Sequence, residues 1–239
     1  MQISGPSDGY SGKVNIDNTD EEVTQGLDDL GERLELFKSK GARFAKWRAL
    51  YQISEVTPSD LLIESNAHQL ACYAALCQTH GLVPIVEPEV LIDGEHTIKA
   101  CAEVSEKVLH AVFHELHKHR VLLEGIILKP SMVMPGKNAK NKSTPEEVAH
   151  HTLEVFRRVV PAAVPTINFL SGGQTPEEAT YNLNAMNANP QPWRLSFSYA
   201  RALQGPCMEA WRGQDNQIQK AQEALLERAR LNSLASEGK

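Results

Sequence analysis

The sequence predicts an α/β fold in which short parallel strands alternate with long helices. Apolar runs of strand length alternate with helical segments along most of the chain, the order expected of a parallel sheet with crossover helices. Polar residues stand at the predicted carboxyl ends of successive strands, with Lys46, Glu87, Lys129 and Ser171 spaced about 42 residues apart. One strand–helix unit fits each interval, and the length of 239 residues is close to the ~250 of a complete α/β barrel.

The first part of the chain is predicted to be a flexible leader, residues 1–18, ahead of a domain of residues 19–239. The leader is rich in Gly, Ser, Asp and Asn and lacks periodicity. A helix is predicted from Thr19, because acidic residues at 20–22 favour a first turn and Lys38 and Lys40 favour a last one. Gly41 is the expected stop of that helix.

Five strand–helix units are predicted in the remainder. Helix starts are indicated by Ser59, by Ser143 or Thr144 before Pro145, and by Thr175 before Pro176. The predicted strands are 43–50, 82–90, 124–129, 166–170 and 193–199. The predicted helices are 59–80, about 96–119 and two that begin near 144 and 175, and helical sequence follows the last strand to about Ala235. A closed barrel has eight units, so these five predict an incomplete barrel.

Composition excludes several classes of protein. Hydrophobic residues make up 41% and charged residues 23%, as in an ordinary globular domain, and the formal net charge of −6 disfavours a nucleic-acid partner. No apolar stretch is long enough to span a membrane, and the first residues do not have the pattern of a secretory signal. None of the four cysteines lies in a CxxC pair, so reduced thiols in a cytoplasmic protein are expected.

Alternation along the strands places candidate functional residues on one face. Side chains two apart share a face of a strand, so Lys46 and Arg48 lie on one side of the first strand, and Glu87 and Glu89 on one side of the second. Lys129 ends the third strand on the matching face. If that face is the barrel interior, three cations and two carboxylates converge there, as buried charges require.

Lys129 is a candidate nucleophile. It follows the apolar run Ile126–Leu128 and precedes Pro130, which cannot continue the ladder. Apolar walls and nearby cations would favour an uncharged amine, which can attack a ketone and form a Schiff base. The alternative is a lysine at a strand end that reaches water. Glu87 could be the acid and base for dehydrating the adduct, or the partner of a structural ion pair with Lys46 or Arg48.

A phosphate site is predicted at the turn Ser171–Gly172–Gly173, which follows a strand and precedes a helix start. Glycines permit a turn whose N–H groups converge on an anion. A simple tight turn is the alternative. Arg201, after Ser198–Tyr199–Ala200, could clamp the same phosphate by paired hydrogen bonds, or lie on the surface.

A metal site is not expected. His110, His114 and His117 fall on one face of a predicted helix, but HELH is one residue short of the HExxH pattern, and interleaved lysines indicate a solvated face.

Several segments together resemble the class I fructose-bisphosphate aldolases, which form a lysine Schiff base. The resemblance runs from about Thr24 to Lys239. The segments that carry it, in order, are FAKWR (44–48), GLVPIVEPEV (81–90), EGIILKPSMVMPG (124–136), FLSGGQ (169–174), NLNAMN (182–187) and FSYARALQ (197–204).

The resemblance implies a role for each candidate. Lys129 matches the Schiff-base lysine, and Glu87 matches the acid/base glutamate with Glu89 as its neighbouring carboxylate. Lys46 matches a lysine that assists carbon–carbon chemistry, and Arg48 a substrate-binding arginine. The residues that match one substrate phosphate site are Ser171, Gly172, Gly173, Ser198, Ala200 and Arg201. Alanine stands at 200 where many members have glycine. It keeps the backbone N–H, so phosphate binding could survive if φ is negative there.

The implied activity is the reversible, metal- and cofactor-independent cleavage of fructose 1,6-bisphosphate into dihydroxyacetone phosphate and glyceraldehyde 3-phosphate. The family fold is a (β/α)8 TIM barrel, and the members imply a homotetramer in the cytoplasm or the plastid stroma. The strands that open such barrels and the terminal tyrosine of the family are not matched here. The alternative is therefore a catalytically impaired protein on the aldolase scaffold that acts only in binding or oligomerisation.

Overall fold

A six-stranded parallel sheet with helices against it forms the framework of the molecule. The structure is a computed structural model and describes residues 2–4, 12–15 and 21–239. Its strands are β1 (Gln2–Ser4), β2 (Gly12–Asn15), β3 (Glu22–Gln25), β4 (Phe44–Tyr51), β5 (Val83–Val90), β6 (Ile127–Leu128), β7 (Thr166–Phe169) and β8 (Arg194–Phe197). The sheet order is β1-β4-β5-β6-β7-β8, and β2 and β3 form a separate antiparallel pair.

The described residues form seven α-helices, of which five connect successive strands and the last two follow β8. They are α1 (Leu30–Ser39), α2 (Asp60–Thr79), α3 (Ile98–Lys118), α4 (Pro145–Val159), α5 (Pro176–Met186), α6 (Arg201–Trp211) and α7 (Ile218–Ala235). From β4 onward, strand and helix alternate five times, which confirms the predicted α/β class and unit count. Among the described strands, β1 and β8 lie at opposite ends of the sheet and do not pair with each other, so the barrel is incomplete.

The two faces of β4 have different environments. Ala45, Trp47, Ala49 and Tyr51 are buried, and the Trp47 ring lies 5.5 Å from the ring of Tyr73 on α2. These residues therefore face the helix layer. Since alternate side chains point to opposite faces, the side chains of Lys46 and Arg48 point away from the helices, toward the interior of the curved sheet.

Side-chain caps fix most helix starts where the sequence predicts them. Ser59 and Thr97 cap α2 and α3 by accepting from the N–H groups of Leu62 and Ala100. Thr144 and Thr175 begin α4 and α5 as full capping boxes with a glutamate at the third helical position and proline at the first. Thr144, rather than Ser143, is thus the cap of α4.

The helix predicted from Thr19 is wrong in its first half. The residues at 22–25 form β3, which pairs with β2 in the antiparallel register, and α1 begins only at Leu30. β-Branched Val23 and Thr24 favour a strand over a helix, and Gly26, with a φ of 128°, turns the chain. Acidic residues near a presumed helix start are a weaker signal than a strand partner upstream.

Most of the predicted flexible leader lies outside the described residues. The exceptions are two strands. β1 pairs in parallel with Phe44–Lys46 of β4, and β2 pairs with β3, so both strands of the predicted leader pair with strands of the predicted domain. The boundary between a leader and a domain at residues 18 and 19 stays a prediction.

The strand predicted at 124–129 is shorter than expected. Leu123–Gly125 is a single 3₁₀ turn and β6 is confined to two residues. The cause is a clamp from α2, because the Gln78 side chain bonds both the N–H and the carbonyl of Leu122, at 2.9 and 2.8 Å. These two hydrogen bonds hold the residues before β6 in a turn.

In the part of the chain that the structure describes, no helix is long and apolar enough to cross a membrane.

Replacement of the α4 cap measures its contribution to the fold. Thr144→Ala removes the acceptor for the N–H of Glu147 and should lower the free energy of unfolding by about 1 kcal/mol. Urea unfolding followed by circular dichroism measures the change. The neighbouring Ser143→Ala is the matched control and should have a smaller effect, so equal effects would contradict the assigned cap.

Candidate active site

A chain of three charges, two of them buried and the third largely buried, lies on the interior face of the sheet. One oxygen of Glu87 is 2.9 Å from Lys46 Nζ, and its other oxygen is 3.0 Å from Lys129 Nζ. The Glu87 side chain is 4% exposed, and those of Lys46 and Lys129 are 12% and 11% exposed. A single carboxylate thus bridges two ammonium groups from neighbouring strands, so this charge chain carries a net positive charge.

Sheet register explains why these side chains meet. In β4 and β5, Lys46 aligns with Ile85 and Arg48 with Glu87, so Glu87 lies two pairs further along than Lys46, on the same face of the sheet. The N–H of Lys129 donates to the carbonyl of Val86 at 2.8 Å, which extends the pairing one residue past the end of β6. Lys129 therefore lies beside Glu87 although it is no longer in the strand itself.

Backbone contacts hold the segment after Lys129 in place. Pro130 accepts from the N–H of Leu170 at 3.1 Å, and the Ser131 hydroxyl donates to the carbonyl of Val90 at 2.9 Å. These bonds continue the sheet on both sides where proline cannot donate. Lys129 is itself 8% exposed, so the predicted sheltered position, rather than a lysine that reaches water, is what the structure has.

A second ion pair lies beside the charge chain. Arg48 Nε is 2.5 Å from an oxygen of Glu89, whose side chain is 8% exposed, while the Arg48 side chain is 43% exposed. Burial acts to lower the pKa of Arg48, but the hydrogen bond and charge of Glu89, with the charge of Glu87, raise it overall. Arg48 therefore remains a cation with its outer part accessible to a ligand.

The predicted phosphate residues lie in two turns at the carboxyl ends of β7 and β8. Gly172 and Gly173 have φ values of 48° and 83°, a region that favours glycine. A Cβ at Gly172 would lie 2.9 Å from a methyl of Leu170. Ser171 is buried, and the N–H of Ser198 already donates to the carbonyl of Phe169 at 2.9 Å.

Ala200 is the N-cap position of α6, and Arg201 is the first residue of that helix. Ala200 has a φ of −96° and no side-chain cap, so it meets the condition under which an alanine here is compatible with phosphate binding. The first N–H groups of a helix have no intrahelical acceptor, which leaves them available to an anion. The Arg201 side chain is exposed and pairs with no carboxylate among the described residues. Strands β7 and β8 pair up to Phe169 and Phe197, so the two turns leave adjacent strands.

One expectation about position needs correction. Lys46 and Glu87 lie in mid-strand and do not end their strands, because β4 continues to Tyr51 and β5 to Val90.

Two buried amides near the phosphate turn, Gln174 and Asn182, were not predicted from the sequence. Asn182 donates to the Gln174 side chain at 2.8 Å, and both are buried behind the Ser171 turn. Both amides stand in segments with several polar residues, so nothing in the local sequence indicates their burial.

The fold is that of an α/β-barrel protein with an incomplete barrel, and the charge chain on the interior face of its sheet is the candidate site. The family model for class-I fructose-bisphosphate aldolase matches residues 10–239. The chain is 54% identical over 231 residues to fructose-bisphosphate aldolase C of Pan troglodytes, which covers 95% of this chain and 64% of that protein. It is 52% identical to fructose-bisphosphate aldolase 4, cytosolic, of Arabidopsis thaliana, over 95% of this chain and 58% of the relative.

A solved structure agrees with these relatives. The fructose-bisphosphate aldolase of Plasmodium falciparum, in a complex with TRAP and a small-molecule inhibitor, matches with a TM-score of 0.95 and 49% identity. The match covers 100% of this chain and 69% of that chain. The chain belongs to the class-I fructose-bisphosphate aldolase family, and it spans less than two thirds of the length of the curated relatives described above.

Replacement of Glu87 tests the charge chain by stability. Glu87→Gln leaves two buried lysines without a counterion and should lower the free energy of unfolding by about 3 kcal/mol, as loss of one partner of a buried pair typically does. Urea unfolding of the full chain measures it.

Glu89→Gln is the matched control, because it removes a carboxylate from a partner that is 43% exposed. Its effect should be about 1 kcal/mol or less. If both variants lose the same stability, the bridging role of Glu87 is wrong.

Proposed function

We propose that this chain is a Schiff-base aldolase that cleaves fructose 1,6-bisphosphate, with Lys129 as its nucleophile. The observation that carries the proposal is the contact of Lys129 Nζ with one oxygen of Glu87, while Lys46 holds the other. A buried amine next to a carboxylate that is itself held by a second cation has both a proton acceptor and a fixed orientation.

The first half of the reaction forms the Schiff base. Glu87 takes a proton from the Lys129 ammonium, and the free amine attacks the C2 ketone of the open-chain sugar. The carbonyl oxygen becomes a hydroxyl as the amine's proton transfers to it, giving a carbinolamine. Glu87 then returns its proton to that hydroxyl, which leaves as water, and a protonated imine of Lys129 remains. Glu87 is a carboxylate again at this point.

The second half breaks the C3–C4 bond. A carboxylate removes the proton of the C4 hydroxyl, the bonding electrons move into the imine, and glyceraldehyde 3-phosphate leaves. The enamine that remains takes a proton at C3, and addition of water releases dihydroxyacetone phosphate and regenerates Lys129. The ammonium of Lys46, 2.9 Å from Glu87, stabilises the carboxylate form and the negative charge that develops on the substrate.

The two substrate phosphates require cationic or N–H-rich sites outside the charge chain. We place one at the turns of residues 171–173 and 198–201, where two positive-φ glycines, the start of α6 and Arg201 come from adjacent strands. Arg48, with its exposed outer part, is assigned to the substrate near the other end, and Glu89 holds its guanidinium. No metal or organic cofactor takes part in this scheme.

Family membership supports this function, since the relatives are named fructose-bisphosphate aldolases. The homotetramer is likewise a proposal from the family. The name of the Arabidopsis relative includes the word cytosolic, which supports a cytoplasmic location, with the plastid stroma as the alternative. A sugar phosphate is the proposed partner, and neither a nucleic acid nor a membrane is.

One observation favours a second function. Six strands form the sheet, and its end strands β1 and β8 do not pair with each other within the described residues, whereas a closed barrel has eight. A chain with an open interior could retain phosphate binding or self-association without turnover. That alternative predicts ligand binding without a covalent intermediate.

Borohydride trapping tests the nucleophile. Incubation with dihydroxyacetone phosphate followed by reduction should attach the ligand irreversibly to Lys129, as peptide mapping by mass spectrometry would show. Lys129→Met should reduce the adduct to background, while Lys142→Met, at an exposed lysine, should leave it unchanged. Absence of an adduct, together with a ligand-induced rise of the melting temperature, would favour the binding-only alternative.

The phosphate assignment is tested by calorimetric titration with fructose 1,6-bisphosphate. Arg201→Ala should weaken binding by roughly tenfold, because a charge-assisted hydrogen bond contributes about 1.5–3 kcal/mol. Arg194→Ala is the control, as it changes an exposed arginine at the opposite end of the same unit, the start of β8. Equal loss in both variants would indicate a general charge effect and contradict the site.

A further inference from the structure

A cluster of two histidines and one cysteine lies on the helix layer, outside the active site. His68 and Cys72 are four residues apart on α2, so they share one face of that helix. His119, at the carboxyl end of α3, completes the cluster. One ligand-type atom from each residue lies within 4.8 Å of those of the other two.

The distances fit a bound ion. Cys72 Sγ is 3.5 Å from His68 Nε2 and 3.4 Å from His119 Nε2. Tetrahedral zinc, with bonds of about 2.3 Å to sulfur and about 2.0–2.1 Å to nitrogen, separates its sulfur and nitrogen ligands by about 3.5 Å. The sulfur–nitrogen separations therefore already have the values that such an ion imposes.

The Nδ1 atoms of both histidines have hydrogen-bond acceptors, as is usual for histidines that bind a metal through Nε2. His119 Nδ1 is 2.9 Å from the carbonyl oxygen of Glu115, and His68 Nδ1 is 3.4 Å from the Glu115 carboxylate. A proton on each Nδ1 leaves the Nε2 lone pairs directed at the thiol. Such carboxylate and carbonyl partners fix the tautomer and orientation of zinc-binding histidines.

The carboxylate of Glu115 is itself held. Lys118 Nζ lies 2.5 Å from its Oε1. This contact fixes the position of the carboxylate beside both histidine rings.

We propose that His68, Cys72 and His119 bind one zinc-type divalent ion that links α2 to α3, with Glu115 as the positioning residue for both histidines. The two nitrogens and one thiolate are ligands that suit zinc. Binding displaces the thiol proton of Cys72 to solvent. The His68 side chain is 60% exposed, so solvent can supply the fourth ligand and the ion can enter without unfolding.

The position of the proposed ion between α2 and α3 indicates a structural role. The cluster joins the middle of α2 to the end of α3, two helices that pack against each other and against β5. An ion there acts as a clamp between the units of β4 and β5 and takes no part in carbon–carbon cleavage. It should stabilise the folded chain, since a ligand that binds only that form raises the melting temperature.

Titration of the reduced full chain with zinc, in competition with a chromogenic chelator, tests the proposal. We expect one tight zinc site per chain and a rise in melting temperature with zinc. Cobalt in place of zinc should give a thiolate-to-metal charge-transfer band and the visible bands of a tetrahedral ion. Cys72→Ser should abolish the charge-transfer band, and His68→Ala or His119→Ala should weaken zinc binding by roughly 100-fold or more, as loss of a ligand exceeds loss of an outer partner.

Matched controls separate this cluster from other histidines and thiols. His117→Ala changes an exposed histidine on α3, and Cys207→Ser changes a half-buried free thiol on α6. Both should preserve the tight site and the cobalt spectrum. Glu115→Gln should weaken binding by roughly tenfold without changing the stoichiometry. The proposal is overturned if the charge-transfer band survives in Cys72→Ser, or if the unsubstituted chain binds zinc no more tightly than His68→Ala does.

Discussion

The attachment of one carboxylate to two ammonium groups is the constraint on which the interior depends. Glu87 is held by Lys46 from one neighbouring strand and by Lys129 from the other. Each of these groups would be unfavourable alone in a sheltered interior, since an unpaired buried charge is strongly destabilising. Strand register, side-chain direction and the bond from Lys129 to Val86 all serve to bring the three together.

Stability alone does not explain why these three interior residues are charged. A hydrophobic triad of similar volume is often as stable as a buried ionic one, so packing alone does not account for these charges. Their cost is understandable if the carboxylate must accept and return a proton beside an amine. The second ion pair, between Arg48 and Glu89, differs in that the Arg48 side chain is 43% exposed, so its guanidinium is accessible from solvent.

Much of the fold could be predicted, because the signals were local. Thr144 and Thr175 specify helix starts by their own hydroxyls, and the alternation of charged and apolar residues in β4 and β5 specified the face on which Lys46 and Glu87 meet. The predictions failed where contact with a residue distant in the sequence determines the local structure. Strand β3 depends on pairing with β2, and the 3₁₀ turn at Leu123 depends on Gln78 in α2. The His68–Cys72 spacing was visible, but its third member comes from another helix.

The eight residues of strand β4 have two roles, packing against the helices and carrying interior charges, and each role belongs to one face of the strand. Its odd-numbered side chains, including Trp47 against Tyr73, fill the space beneath the helices. Its even-numbered side chains, which include those of Lys46 and Arg48, point to the interior. Substitutions at the half-exposed Arg48 can therefore change the interior surface without disturbing either the packing beneath the helices or the charge chain of Lys46. A scaffold with this division can vary one interior position during evolution at little cost in stability.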